Sequence, residues 1–201
     1  RCDLALGDSE FNRQELQALG FRKTGVLPVI PNFDHLAGEP DWSLVSQFND
    51  AWTNILFVGR VIPNKRIEDL IKFFHAYRST HNLRSRLIIV GSYVGFEDYL
   101  MSLYDLTSRL GTHDVHFVGQ ATNAELAAFY NVADVFLCAS EHEGFCVPLV
   151  EAFHERVPVI AYSATAVPDT MDGGGVLYND KDPSVVAALI DAIVSNQALC
   201  E

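Results

Sequence analysis

The sequence has few basic residues, no long apolar run and no sign of a secretion signal. Its 14 Lys and Arg residues are outnumbered by 26 Asp and Glu residues, which gives a net charge of −12. This charge disfavours general binding to nucleic acid or to anionic lipid, because both require a basic surface. No stretch approaches the roughly 18 apolar residues of a membrane span, and the N-terminus lacks the basic and apolar regions of a signal peptide. These absences predict a soluble, cytoplasmic protein with no nucleic-acid partner.

The sequence also lacks the usual motifs for disulfides, metals and dinucleotides. Its 4 cysteines are scattered without a C-x-x-C motif, so reduced thiols are predicted. Glu151 and His154 form a Glu-x-x-His pair, but a carboxylate-bridged metal site needs a second such pair, and the sequence shows none. No G-x-G-x-x-G follows the first strand, which argues against a Rossmann dehydrogenase. We therefore expect neither a metal nor a cofactor.

What the chain does contain is a regular alternation of short apolar runs with helical patterns. This alternation predicts an α/β protein with a Rossmann-like parallel sheet flanked by helices. Residues 1–30 read as one βαβ unit, residues 31–53 as an interdomain linker rich in Pro, Gly and Asp, and residues 54–201 as the main domain. Helices are expected over about 12–19, from Ile67 through Phe74, over 97–110, after a capping box at Thr122–Glu125, and from Asp182–Pro183.

The clearest functional motif follows the apolar run 134–139. Two carboxylates, Glu143 and Glu151, flank a turn in which Gly144 allows close approach of a ligand, and Pro148 suits the first turn of a helix. The free N–H groups at the start of such a helix point at whatever lies beyond the strand end. The motif therefore predicts strand, loop and helix, with an anion such as phosphate bound at the helix N-terminus.

Two cations are predicted to lie near this motif. Ligands of open α/β sheets bind in a crevice beyond the carboxyl ends of the strands, and both cations are expected to face that crevice. Arg60 ends the first strand after residue 53, and Lys65 precedes the following helix. Arg60 can grip phosphate oxygens with two parallel hydrogen bonds, and Lys65 adds a compact charge. Carboxylates are poor partners for phosphate, so Glu143 and Glu151 are expected to accept hydrogen bonds from hydroxyls. A nucleoside diphosphate sugar has hydroxyls on both sides of its phosphates and fits this description.

These motifs resemble a known family. Gly59-Arg60 with Lys65, and the E-x7-E pattern from Glu143 to Glu151, are similar to the donor-site motifs of retaining GT-B glycosyltransferases of the GT4 type. The resemblance covers roughly residues 54–180 and implies the C-terminal half of a GT-B fold. Residues 1–30 would then be a remnant of the N-terminal, acceptor-binding domain, most of which is absent from the sequence.

The resemblance also implies roles for individual residues. Arg60, Lys65 and Glu143 would be catalytic: the two cations would bind the diphosphate and stabilise its departure, and Glu143 would hold hydroxyls of the transferred sugar. Glu151 would bind the ribose, and the base would lie near Val118 and Gly119. The full predicted donor-binding set is Gly59, Val118, Gly119, Gly144, Phe145, Cys146, Val147 and Glu151. The family commonly has Gly where this chain has Cys146, and its members retain the anomeric configuration, usually without a metal.

The activity so implied is transfer of a hexose from a nucleoside diphosphate sugar, such as UDP- or GDP-hexose, to a glycan, lipid or small-molecule acceptor. The implied partners are this donor, a glycan or lipid-linked acceptor and the absent N-terminal domain, with peripheral contact at the inner face of the membrane through that missing half. Two alternatives stay open from the residues alone. One is a sugar-nucleotide epimerase or glycan phosphorylase on the same fold, and the other is a non-catalytic module that binds sugar nucleotides.

Overall fold

The computed structural model describes residues 2–196 and contains two parallel β-sheets joined by one connecting segment. The strands are β1 (Ala5–Gly7), β2 (Thr24–Val26), β3 (Thr53–Val58), β4 (Ser85–Val90), β5 (Val115–Gly119), β6 (Val135–Cys138), β7 (Val159–Tyr162) and β8 (Val176–Tyr178). The helices are α1 (Glu10–Ala18), α2 (Trp42–Phe48), α3 (Ile67–Thr80), α4 (Glu97–Leu110), α5 (Asn123–Val132), α6 (Val147–His154), α7 (Val167–Met171) and α8 (Pro183–Val194).

The first unit consists of β1, α1 and β2. The two strands pair in parallel, with Leu6 opposite Gly25, and α1 connects them as the sequence predicts. Ser9 caps the helix, because its hydroxyl accepts a hydrogen bond from the N–H of Asn12 at 3.2 Å. The helix therefore begins at Glu10, two residues before the predicted start.

The larger sheet has six parallel strands in the order β5-β4-β3-β6-β7-β8. This confirms the predicted fold class, an α/β protein with a parallel sheet flanked by helices. The chain builds outward from β3 through β4 to β5, then returns to the other side of β3 and builds outward again from β6. The reversal places a topological switch point between β3 and β6, and ligands of open α/β sheets bind at the carboxyl end of such a point.

Helices cover both faces of this sheet because its strands are apolar on both sides. On one face, Ile55 and Phe57 of β3 are buried with α3, α4 and α8; on the other, Leu56 of β3 is buried with α5, α6 and α7. The helical spacing in α3 is confirmed, since Ile67, Leu70, Ile71 and Phe74 are all fully buried. The capping box of α5 is also present, with Thr122 and Glu125 bonded to each other's backbone N–H. These two layers hold the strand ends in fixed positions.

Residues 31–53, predicted as an interdomain linker, connect the two sheets and also pack on the larger one. The segment contains α2, and Leu36, Val45 and Phe48 are buried. The N–H of Asp41 donates to the carbonyl of Ala124 at 3.0 Å, which attaches this segment to the start of α5. The part of the connection nearest the larger sheet is therefore held against it.

Candidate functional site

The loops that follow β3, β6 and β7 meet at the carboxyl end of the sheet, at the switch point. The N–H of Glu141 donates to the carbonyl of Asn64 at 3.0 Å, which joins the loops after β6 and β3. The Thr165 hydroxyl, in the loop after β7, accepts from the N–H of Glu143 at 2.8 Å and donates to the Glu143 carbonyl at 3.0 Å. Glu143 is therefore fixed through its backbone before any ligand is considered.

Lys65 and Glu143, both predicted as catalytic, form an ion pair across the switch point. Lys65 ends a 3-10 turn (Pro63–Lys65), and its Nζ lies 2.6 Å from Oε1 and 2.7 Å from Oε2 of Glu143. The side chains are 18% and 8% exposed, respectively. An ion pair at this level of exposure gains more Coulomb energy than a surface pair, because less water screens the charges.

Arg60, the third predicted catalytic residue, is exposed and directly follows Gly59 at the end of β3. Its guanidinium carbon lies 5.7 Å from the centre of the Phe96 ring, a cation–π distance. Within residues 2–196 it forms no ion pair with an acidic side chain. Its guanidinium group therefore remains available to an anion.

The N-terminus of α6 presents a row of backbone donors beside Glu143. Cys146 adopts a left-handed conformation, with φ 69° and ψ 67°, and no side chain caps the helix. Within the described part of the chain, the N–H groups of Gly144, Phe145, Cys146 and Val147 have no protein acceptor. Pro148 occupies the first turn, as predicted. Free N–H groups at a helix start, close to a lysine, are suited to binding a phosphate or a sugar oxygen.

Glu151, predicted to bind ribose, is buried on the first two turns of α6 and already has two protein partners. Its Oε2 accepts from the hydroxyl of Tyr130 at 2.8 Å, and its Oε1 lies 2.9 Å from Nε2 of His35. Burial and the nearby Glu151 charge raise the pKa of Tyr130 well above its usual range, so this tyrosine stays a neutral donor. Neither partner is predicted by the sequence, and His35 comes from the connecting segment.

Val118 and Gly119, predicted to lie near the base, are at the carboxyl end of β5, an edge strand of the sheet. Val118 is 36% exposed, and the carbonyl of Gly119 accepts from the N–H of Gly91 at 2.7 Å. In the strand order, β5 lies three strand spacings from β6, or about 14 Å. The predicted site residues thus form one band along the carboxyl edge of the sheet, from β5 through β3 to β6.

A further cluster, which includes two residues of this band, was not predicted. Cys138 at the end of β6, Cys146 and Glu143 bring two sulfurs and a carboxylate oxygen within 4.8 Å of one another. A hydrogen bond from the Cys146 thiol lowers the pKa of Cys138, and the same bond together with burial raises the pKa of Cys146. Of the Glu-x-x-His pair, Glu151 is bonded to Tyr130 and His35, whereas the His154 ring stacks on Phe33 with ring centres 4.2 Å apart.

Comparison with known proteins places this geometry in a family. The sequence model of the family described as Glycosyl transferases group 1 matches residues 40–201. Among curated relatives, O-antigen chain mannosyltransferase B of Escherichia coli is 28% identical over 150 residues, 73% of this chain and 38% of that protein. Alpha-monoglucosyldiacylglycerol synthase of Acholeplasma laidlawii is 33% identical over 144 residues, 71% of this chain and 35% of that protein. The chain therefore spans little more than a third of the length of these relatives.

Solved structures share the fold. Sucrose-phosphate synthase from Thermosynechococcus elongatus superimposes with a TM-score of 0.83 at 23% identity, covering 100% of this chain and 51% of that one. Anabaena HepE in complex with UDP-glucose superimposes with a TM-score of 0.81 at 21% identity, covering 99% and 59%, respectively. The larger sheet and its helices are thus the half of a GT-B fold that the resemblance implied. Within residues 2–196, no helix has the length and apolar character needed to cross a bilayer. The family match over most of the sequence, together with this fold, shows that the chain belongs to the group 1 glycosyl transferases.

Proposed function

We propose that this chain is the donor-binding part of a retaining glycosyltransferase that takes a hexose from a nucleoside diphosphate sugar such as UDP- or GDP-hexose. The observation that carries the proposal is the contact between Lys65 and Glu143 at the switch point, beside the free N–H groups at the start of α6. A cation suited to phosphate and a carboxylate suited to hydroxyls thus lie side by side, as phosphate and sugar do in a nucleotide sugar.

The ion pair can admit such a ligand without being fully broken. A lysine ammonium has three donors, and each carboxylate oxygen has two lone pairs. Lys65 can therefore keep one hydrogen bond to Glu143 and direct the others to phosphate oxygens. Glu143 keeps acceptor capacity for the hydroxyls of the hexose. The contact between the two side chains would then align the phosphate with the sugar that leaves it.

The proposed catalytic effect is stabilisation of the departing diphosphate. As the bond from the anomeric carbon to the phosphate oxygen breaks, negative charge grows on that oxygen. An acceptor hydroxyl attacks the same face of the sugar, its oxygen forms the new bond to the anomeric carbon, and its proton passes to the departing phosphate oxygen. Arg60, Lys65 and the free N–H groups of residues 144–147 would stabilise this growing charge. An interaction that is stronger with the departing diphosphate than with the bound donor raises the rate of the chemical step.

Glu151 would bind the ribose, and the base would lie at the end of β5. His35 is 31% exposed at its side chain, whereas Tyr130 is fully buried. A ribose hydroxyl would therefore replace or share the contact of His35, with the hydrogen bond from Tyr130 left in place. The UDP-glucose complex of Anabaena HepE supports a uridine nucleotide as the first donor to test.

The acceptor would be a glycan or a lipid, bound with the help of a further domain of the longer protein. The names of the relatives, one for an O-antigen chain enzyme and one for a diacylglycerol glycolipid synthase, support these two acceptor classes. Transfer would take place in the cytoplasm, at the inner face of the membrane, where a diacylglycerol acceptor would lie. An epimerase or phosphorylase activity is less well supported, because these named relatives are a transferase and a glycolipid synthase.

Calorimetry with UDP, GDP, ADP and their hexose derivatives tests the proposal. We expect one nucleotide to bind with micromolar to millimolar affinity and its hexose derivative to bind in the same site. No heat with any of them would contradict the proposal. We also expect the isolated chain to transfer little sugar, because it spans little more than a third of the length of its relatives and would lack the domain that binds the acceptor. Rapid transfer to an added acceptor would overturn that expectation.

A further inference from the structure

Donor binding gives a role to the carboxylate of Glu143 and to the backbone N–H of Cys146, but none to the thiols of Cys138 and Cys146. Cys138, at the end of β6, is 1% exposed, Glu143 is buried and Cys146 is partly buried. Their ligand atoms lie within 4.8 Å of one another. Glu143 presents one oxygen to this group although both of its oxygens lie near Lys65. Two thiols and a carboxylate in one buried position form a set of potential metal ligands.

The backbone of Cys146 supports a specific role for its side chain. Its φ of 69° lies in the left-handed region, which costs a residue with a Cβ about 1–2 kcal/mol. Glycine would be the default at such a position. The strained conformation directs the Cys146 thiol towards Cys138 and Glu143. Backbone strain of this kind, held in place by its surroundings, is typical of binding and catalytic sites.

We propose that Cys138, Cys146 and Glu143 form a binding site for a thiophilic divalent cation of the Zn²⁺ class. Thiolates are soft ligands that favour Zn²⁺ over Mg²⁺ or Ca²⁺. Each thiol releases its proton to solvent as the metal–sulfur bond forms. Two thiolates and one carboxylate then carry three negative charges, and the divalent cation with neighbouring Lys65 carries three positive charges. The buried group is thus neutral, whereas the same thiolates without the metal would be costly to bury.

The distances fit tetrahedral coordination after small movements. With Zn–S bonds of about 2.3 Å and Zn–O bonds of about 2.0–2.2 Å, tetrahedral ligand atoms lie about 3.5–3.8 Å from one another. Atoms already within 4.8 Å reach this arrangement by shifts of about 1 Å. Three protein ligands leave the fourth position to a water molecule or an anion. Lys65 can stay on the second oxygen of Glu143, because its ammonium contacts both oxygens.

Titration with Co²⁺ tests the site by spectroscopy and needs no nucleotide, so its result is independent of the proposed donor. We expect one Co²⁺ per chain to produce thiolate-to-cobalt charge-transfer absorption and the visible bands of a tetrahedral site, and Zn²⁺ to displace it with a dissociation constant in the micromolar range or below. Mg²⁺ should not displace it. The titration is made on the reduced chain under anaerobic conditions, and repeated with Cys2 and Cys200 replaced by Ser, which should leave the spectrum unchanged.

Two variants in this Ser-substituted background distinguish metal binding at the proposed site from nonspecific binding elsewhere on the protein. Cys146→Gly suits the left-handed backbone and removes one sulfur, and Glu143→Gln keeps the size of the side chain and removes its charge. We expect the affinity for Co²⁺ to fall at least about tenfold in each variant. Removal of a metal ligand should weaken metal binding at least as much as removal of a residue that only hydrogen-bonds to a ligand. Cys146→Ala serves in place of Cys146→Gly if the glycine variant fails to fold. Absence of charge-transfer absorption, or an unchanged spectrum in the Cys146 variant, would overturn the proposal.

Discussion

The ammonium of Lys65 bridges both carboxylate oxygens of Glu143, at 2.6 Å and 2.7 Å. The two residues are 78 positions apart in the sequence and lie in the loops after β3 and β6. Their contact therefore connects the two halves of the sheet at the point where the chain reverses direction. Because both side chains are largely shielded from water, each charge depends on the other.

This dependence predicts a large coupling between the two residues. Lys65→Met and Glu143→Gln should each lower the free energy of unfolding, since each leaves one poorly solvated partner unpaired. The double variant should lose about 1–3 kcal/mol less than the sum of the single losses. Urea unfolding of the four proteins measures the coupling. Additive losses would show that the contact adds nothing to stability.

Lys65→Ala should weaken binding of a nucleoside diphosphate about 10–100-fold, because a charge-assisted hydrogen bond contributes about 1.5–3 kcal/mol. Binding of the corresponding nucleoside should change little, since it has no phosphate. Calorimetry with the two ligands measures the difference. Lys23→Ala is the matched control, because Lys23 is an exposed lysine outside the site. Equal losses for nucleoside and diphosphate would contradict the phosphate role of Lys65.

Tyr130→Phe should destabilise the protein by about 1–3 kcal/mol at neutral pH, because it removes the hydroxyl that donates to buried Glu151. The pKa of Tyr130 is raised in the folded state. Its contribution to stability is therefore complete below about pH 10, the pKa of tyrosine in the unfolded chain, and is lost as the pH rises above that value. The variant should therefore lose less stability than the natural protein between pH 9 and 11. Chemical unfolding across this range measures both effects, with Tyr104→Phe, at an exposed position, as control.

The left-handed conformation of Cys146 should reverse the usual order of stability of a glycine and an alanine variant. Cys146→Gly should be more stable than Cys146→Ala by about 1 kcal/mol, because only glycine adopts φ 69° without steric cost. At an ordinary helical position the order would be the reverse. Thermal unfolding of the two variants decides between them. A more stable alanine variant would mean that the loop before α6 has a different backbone in solution.

Gly91→Ala should cost about 2–4 kcal/mol, because an added Cβ would lie 1.9 Å from the carbonyl oxygen of Gly59. The two glycines let the ends of β3 and β4 approach each other beside Arg60. Gly111→Ala is a suitable control, since Gly111 also has a positive φ, 61°, but its added Cβ would meet no atom within 4 Å. The control should lose only about 1 kcal/mol. Similar losses in the two variants would show that the strand ends can separate easily.

The sequence predicts the local elements well, because helices and strands in this chain carry strong periodic signals. The helix over 97–110 is observed as Glu97–Leu110, and α8 begins at Pro183 after the Asp182 cap. The spacing of buried residues in α3 also matches the prediction. Each of these patterns lies within about 15 consecutive residues. Over that length, the periodicity of the helix or strand determines which side chains face the core.

The contacts that assemble the site depend on tertiary packing and could not be predicted in this way. Glu151 meets His35 across 116 positions and Tyr130 across 21, and no periodic pattern connects them. The sequence placed Arg60, Lys65, Glu143 and Glu151 at strand ends, but the order of the strands sets which of them touch. The contact between Cys138 and Cys146 likewise depends on the path of the loop between them, which ends in a left-handed residue.

The contact between His35 and Glu151 has a mechanical consequence. His35 belongs to the stretch between β2 and α2, and the chain from Asp41 onward is attached to the larger sheet. A rotation of the β1–β2 unit relative to the larger sheet would have to bend the chain near residues 27–32, since Phe33 and His35 both contact α6. Such a rotation would pull on the imidazole that Glu151 holds. The position of the connecting segment and the hydrogen bonding of this buried carboxylate are therefore linked through His35.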